Sequence, residues 1–380
     1  MVIKLRLLIA SEYFSVGVYL FSSKKGGKVG EYTTRKLILV ALALGIAFLG
    51  LQVGTANADS TSGSVFFTTF AGGTNVSTDT YNFNGTTFTL GTPTGIAATN
   101  GADGLLFAPD GNLIIAGQGT DLLHEITTGG LAVNTVDAGT GAYHLGLSGN
   151  GTTLYTMWNG PGSGGSTAIA ATVLSGGGLA VAGTPYTVSC AVGTTCVTDV
   201  RGVVFDPVNG KSYYSTAADG ASGTFGTVVF NDVTHTATLT QLLSGVFAHG
   251  VSFDPFTKDI IMNSAGTIEQ FDPVSGTVVS TLTGIGNFDQ AAEDGKGHLF
   301  VASNSGFLEF VDYDATGLIG APGNFTAEPF LIANLDDIAP LSGAGSGGTP
   351  VPEPSSLILM GSGLLGLLGV ARRRLVRLPN

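Results

Sequence analysis

Asp199-Val-Arg-Gly-Val-Val-Phe-Asp-Pro-Val-Asn-Gly-Lys-Ser-Tyr-Tyr-Ser-Thr-Ala217 reads as an apolar strand, a tight turn and a second strand of alternating character. Asp206 can open the turn with its side chain, Pro207 pre-sets φ, and Gly210 accepts positive φ without steric cost. The phrase recurs along the chain. Gly104-Leu-Leu-Phe-Ala-Pro-Asp-Gly111 runs into Leu113-Ile-Ile-Ala116, and Gly250-Val-Ser-Phe-Asp-Pro255 runs into Asp259-Ile-Ile-Met262. Looser copies are His144-Leu-Gly-Leu-Ser-Gly-Asn-Gly151 before Leu154-Tyr-Thr-Met157, and Gln290-Ala-Ala-Glu-Asp-Gly-Lys-Gly297 before Leu299-Phe-Val-Ala302.

The copies start near residues 104, 144, 201, 249 and 289, at steps of 40, 57, 48 and 40 residues. A β-propeller blade repeats at roughly 40–50 residues. From residue 64 to about 340 no stretch of ten or more residues carries a helical period, and each interval holds four strands. The interval opened by Gly250 reads as strands 251–253, 260–263, 267–271 and 277–282. Inner strands rich in Gly and Ala suit convergence on a crowded axis. Residues 64–70, 78–83 and 86–90 form three strands with no inner strand before them, and Leu335-Asp-Asp-Ile-Ala-Pro-Leu341 is an inner strand with nothing after it. Joined, the two ends complete one more blade and leave no sheet edge bare. The expectation is an all-β protein, a single propeller of six four-stranded blades spanning residues 59–341. A seventh blade within residues 144–201 is the alternative.

Composition narrows the function. Gly supplies 59 of 380 residues, and only 11% of residues are charged. Between Asp59 and Pro350 the basic side chains are Arg201, Lys211, Lys258 and Lys296. Against them stand 24 acidic ones, the full 27 less Glu12, Glu31 and Glu353. A body carrying about −20 repels phosphate backbones, which argues against nucleic acid as a partner. A solvated extracytoplasmic surface accounts for the acidity, and calcium binding is the sharper alternative.

Residues 1–58 read as a leader and signal peptide. Arg35-Lys36, the uncharged run 37–51 and the small-residue site Ala56-Asn57-Ala58 match a Sec-type signal cleaved by signal peptidase, leaving Asp59 first. True initiation nearer Val29 would account for the long segment before Arg35, and an uncleaved N-terminal anchor is the competing reading. In an exported body Cys190 and Cys196, the sole cysteines, can close a small disulfide loop worth about 2 kcal/mol. Their spacing is not that of a metal site.

Residues 342–350 are a Gly/Ser linker. There follow Val351-Pro352-Glu353-Pro354, an uncharged run at 355–371, and Arg372, Arg373 and Arg374 with Arg377. The apolar run would span roughly 25 Å as a helix, short for a membrane, with the arginines holding its end in the cytoplasm. An ordinary C-terminal anchor would need only the apolar run. The three-part tail over residues 351–380 resembles the PEP-CTERM protein-sorting signal of Gram-negative bacteria. That resemblance implies export, recognition by an exosortase membrane protease, cleavage near the motif, and association with exopolysaccharide or biofilm material.

Alignment of the repeats sets the start of each inner strand at one mouth of the axial channel. The residues so placed are Asp103, Tyr143 or His144, Arg201, His249, Asp289, Asp336 and Asp337. A lone guanidinium among carboxylates could clamp an acidic or sugar-like ligand, with His249 able to move protons near neutral pH. The bland alternative is that Arg201 neutralises the Asp ring and the histidines bond to backbone. The Phe-Asp-Pro turns and blade length distantly resemble NHL-like, virginiamycin B lyase-like and gluconolactonase-like propellers, but none of those enzymes' site residues matches a position here. Two functions stand: a non-catalytic surface or matrix propeller contacting polysaccharide or protein, and an extracytoplasmic lyase or lactonase working at the mouth, with a divalent cation such as calcium as its candidate cofactor.

Overall fold

The turn at Asp206 forms as its residues dictate. Gly210 N–H donates to the Asp206 carbonyl at 2.9 Å, and Val208 N–H donates to Asp206 Oδ1 at 2.7 Å. Gly210 takes φ +71°. The strands it joins, Val200–Asp206 and Lys211–Thr216, pair antiparallel. The computed structural model describes residues 60–340 except 71–74, 118–119, 140–141, 158–167, 217–222, 247, 314–315, 322–324 and 327–329. The leader, signal peptide, linker and sorting tail lie outside the described residues. No helix occurs among the described residues, so none there is long and apolar enough to cross a membrane.

Groups of antiparallel strands follow the chain. Ala102–Phe107, Leu113–Gly117, Leu122–Ile126 and Ala132–Asp137 form one sheet in that order. His144–Leu147, Thr153–Met157, Ala168–Ser175 and Gly178–Ala182 repeat the pattern, as do Val200–Asp206, Lys211–Thr216, Thr224–Asn231 and Thr236–Ser244. Beyond them the strands are longer than the sequence suggests. Ile260–Asp272 and Thr277–Glu293 each run unbroken where two strands were expected. Ala265 still pairs with Asn287, and register shifts between Ala265 and Thr267 and between Gln270 and Phe271 interrupt the ladder without breaking either strand. The first half of Thr277–Glu293 closes one sheet, and its second half opens the next by pairing with His298–Ser303.

The long interval after His144 holds one further strand. Tyr186–Cys190 pairs antiparallel with Ala168–Ser175 and parallel with Thr236–Ser244, stitching two neighbouring sheets together at their outer edges. The Cys190–Cys196 disulfide sits at its end, with Cα atoms 5.7 Å apart. The two ends of the body share a sheet. Leu335–Pro340 pairs antiparallel with Thr61–Thr69, which pairs with Val76–Phe83.

Inner strands stand side by side in a closed cycle. Ala102–Phe107 lies beside His144–Leu147, then come Val200–Asp206, Gly250–Phe253, the end of Thr277–Glu293 and Leu335–Pro340, which returns to Ala102–Phe107. Their approach is close enough to require glycine. A Cβ on Gly104 would sit 2.1 Å from the Tyr143 carbonyl oxygen, and one on Gly250 2.5 Å from that of Asp289.

The core lies between neighbouring sheets rather than at one centre. Leu105 and Phe107 pack toward the terminal sheet with Phe66 and Ala339, while Leu106 and Ala108 pack toward Leu147 and Leu154. Alternate residues of one strand thus serve opposite cores. Burial of both faces is why the inner strands read as continuous apolar runs. Aromatic rings fill the space between the terminal sheet and its neighbour, where Phe88 stacks on Phe310 with centroids 4.0 Å apart.

Candidate functional site

In an antiparallel sheet the start of the first strand and the end of the second lie at the same edge. At that edge the inner strands leave a cavity of about 480 Å³. Asp103, Tyr143, His144, His249, Asp289 and Asp336 line it, joined by Phe70 and Asn304. Asp337 is fully buried next to Asp336. The Gln290 carboxamide, with its nitrogen toward that carboxyl, donates to both oxygens at 3.0 and 2.8 Å. Thr68 ties the mouth together: its hydroxyl donates to the Asp103 carbonyl at 2.8 Å and accepts from Asp337 N–H at 3.1 Å.

Arg201 stands apart from the cavity lining. Its Nη2 and Nε donate to Asp199 Oδ2 at 3.0 and 3.2 Å, and the side chain is buried. It therefore neutralises a neighbour on its own turn of chain and does not face outward as a clamp. His249 N–H donates to the Asn263 carbonyl at 2.8 Å. Its ring lies 3.4 Å, Nδ1 to Oδ1, from Asp289, and Asn304 donates to Asp289 Oδ2 at 2.9 Å.

Electrostatics divides the four carboxyls. Burial, then the Asp289 charge, holds Asp103 well above the usual carboxylate range. Burial, then Asp103 and Asp289, pushes Asp336 up to about 10, and burial with the same neighbours raises Asp337 strongly. Asp289 moves the other way. Burial disfavours its charge, but the hydrogen bond and charge of His249, the charge of His144 and the Asn304 amide more than offset that. His144 is lowered to about 4, chiefly by burial, with Asp289 opposing and His249 and Arg201 adding to the fall. Burial thus favours the neutral forms of Asp103, Asp336, Asp337 and His144, while Asp289 is held toward its charged form. The mouth is a dense array of hydrogen-bonding groups.

Phe70 and Asn304 were not legible from repeat alignment, which places only the inner strands. Both follow second strands, Thr61–Thr69 and His298–Ser303, and the shared edge of first and second strands is the signal that finds them. Asp199 was likewise missed as the partner of Arg201.

Comparison with known proteins gives the fold and the tail. A chain in the crystal structure of the nidogen/laminin complex is similar at 14% identity and a TM-score of 0.54, over 74% of this chain and 99% of that one. The periplasmic gluconolactonase of Pseudomonas aeruginosa is similar at 16% identity and a TM-score of 0.49, over 73% and 98%. A streptogramin B lyase is similar at 12% identity and a TM-score of 0.40, over 61% and 69%. At such identities the likeness concerns the fold, an all-β propeller, and nothing of chemistry. The chain matches no curated protein sequence. Residues 350–374 match the PEP-CTERM protein-sorting motif, which marks an exported protein processed by an exosortase and held transiently at the membrane by its C-terminal region.

Proposed function

We propose that this chain is a six-bladed, non-catalytic binding protein of the cell surface or extracellular matrix. Its channel mouth holds a neutral, polyhydroxylated ligand such as a saccharide unit of exopolysaccharide. Residues 1–58 direct export through Sec and signal peptidase. Residues 342–350 give the exosortase room, and 355–371 span the membrane until cleavage near Val351–Pro354. One observation carries the ligand class: the cavity is lined by planar polar groups, carboxyls, imidazoles and a carboxamide, with the half-exposed ring of Phe70 beside them. Sugar hydroxyls need paired donors and acceptors, and a sugar's C–H face packs on an aromatic ring. Arg201, the one arginine among the described residues, is engaged by Asp199, so an acidic ligand meets no open guanidinium there.

Calorimetry with neutral oligosaccharides released from the producer's own exopolysaccharide tests this. Binding weakened about tenfold by Asn304→Ala or Phe70→Ala supports it, each change removing roughly 1–2 kcal/mol. No binding to any fragment sinks it. The approach of His249 to Asp289 favours a second reading, a lyase or lactonase with His249 as proton carrier oriented by that carboxylate. New product on incubation with those fragments, lost in His249→Gln, would establish it instead.

A further inference from the structure

Two imidazoles and a carboxylate converge at the mouth. One donor atom from each of His144, His249 and Asp289 lies within 4.8 Å of the other two. The 3.4 Å between His249 Nδ1 and Asp289 Oδ1 is long for a hydrogen bond. It equals the spacing of about 3.4 Å between two ligands on a tetrahedral ion with bonds of about 2.1 Å. His144 Nε2 is shut off from solvent without a hydrogen-bond partner, in a residue 6% exposed, and Asp289, 5% exposed, meets the long approach of His249 at Oδ1. A buried polar atom left so is costly, and an ion shared with His249 and Asp289 would satisfy it. Asn304 occupies the other Asp289 oxygen at 2.9 Å, orienting the carboxylate as outer partners of metal ligands do. Asp103 and Asp337 form a second such group around the same His144, so a further carboxylate stands within reach. Among the described residues no lysine or arginine lines the cavity.

We propose that His144, His249 and Asp289 bind a divalent cation of the zinc class. The donor set decides against calcium, which takes six to eight oxygens, whereas imidazole with carboxylate suits zinc and its first-row neighbours. With three protein ligands, an ion keeps an open position toward the cavity. This inference does not rest on saccharide binding, since the ion is measured without sugar and either result leaves the other free to fail.

The test uses protein purified from the producing cells, stripped with chelator and titrated calorimetrically with Zn2+ and, separately, Ca2+. The expected result is one equivalent of Zn2+ bound at least about 100-fold more tightly than Ca2+. Cobalt substitution should give visible bands of a nitrogen- and oxygen-ligated ion. His249→Ala should weaken Zn2+ by about 100-fold, and Asn304→Ala, which touches Asp289 from behind, by about tenfold. His124→Ala, outside the cavity, should change nothing. Unchanged melting of the stripped variants shows that they fold, and should His249→Ala fail to fold, Asn304→Ala carries the decision. Zn2+ binding equal in wild type and Asn304→Ala, Ca2+ preferred to Zn2+, or no stoichiometric Zn2+ binding would overturn the proposal.

Discussion

Phe67, in the first strand of the body, is the register partner of Ile338, in the last. Every other strand lies between them in sequence, so this pairing turns a row of sheets into a closed cycle and fixes the mouth where Asp336 and Asp337 meet Asp103. Ile338 and Leu335 pack with Phe67, Phe83 and Phe310 in one buried cluster. Ile338→Ala should therefore destabilise the protein by about 2–5 kcal/mol, measured by denaturant unfolding. Leu331→Ala, at a position 88% exposed, should stay within about 0.5 kcal/mol of wild type. Equal effects of the two changes would mean that the terminal sheet contributes nothing to the fold.

Lys258 stands where other turns place glycine. Its φ of +72° matches the +71° of Gly210 and Gly276, and its N–H donates to the Asp254 carbonyl at 2.9 Å as theirs do to Asp206 and Asp272. A side chain in that conformation costs roughly 1–2 kcal/mol. Lys258→Gly should stabilise by about 1 kcal/mol, net of the lost contact of Lys258 Nζ with the Pro255 carbonyl. A fall in melting temperature would contradict this.

How far such features were visible beforehand depends on their range. The turn phrase and the doubled apolar runs are local, so blade-like spacing and the inner strands could be read from residues alone. The mouth residues followed because equivalent positions in repeats lie at equivalent edges. Contacts outside that frame were hidden. Tyr186–Cys190 finds one partner earlier in the chain and another later, with opposite polarity, and no local pattern specifies that. Arg201 has Asp199 two residues away, yet a repeat alignment cannot say which carboxylate a guanidinium will choose.

Glu293 gives a pH prediction away from the mouth. It is buried, accepts from the Ser252 hydroxyl, and is pushed up to about 8 by burial and then by Asp254. Between its ordinary value of about 4.5 and about 8, the unfolded chain releases a proton that the folded protein keeps. Stability from this group is thus greatest at low pH, falls through that window and levels off above it. Glu293→Gln removes the dependence, so its melting temperature relative to wild type should rise steadily from pH 5 to about 8. A difference independent of pH would show that Glu293 titrates normally.

The account rests most heavily on the tail. Pro352 and Pro354 disfavour helix ahead of the apolar run, which on the proposed reading would leave a segment that a membrane protease can reach. On the same reading, a helix over 355–371 would be barely long enough to span, and Arg372, Arg373 and Arg374 would keep it from slipping through. Terminal peptide mapping by mass spectrometry of surface and secreted material from exosortase-bearing cells is the most direct measurement. The account predicts a chain that begins at Asp59 and ends within Val351–Pro354. Intact protein ending at Asn380, found only in the inner membrane of those cells, would contradict it.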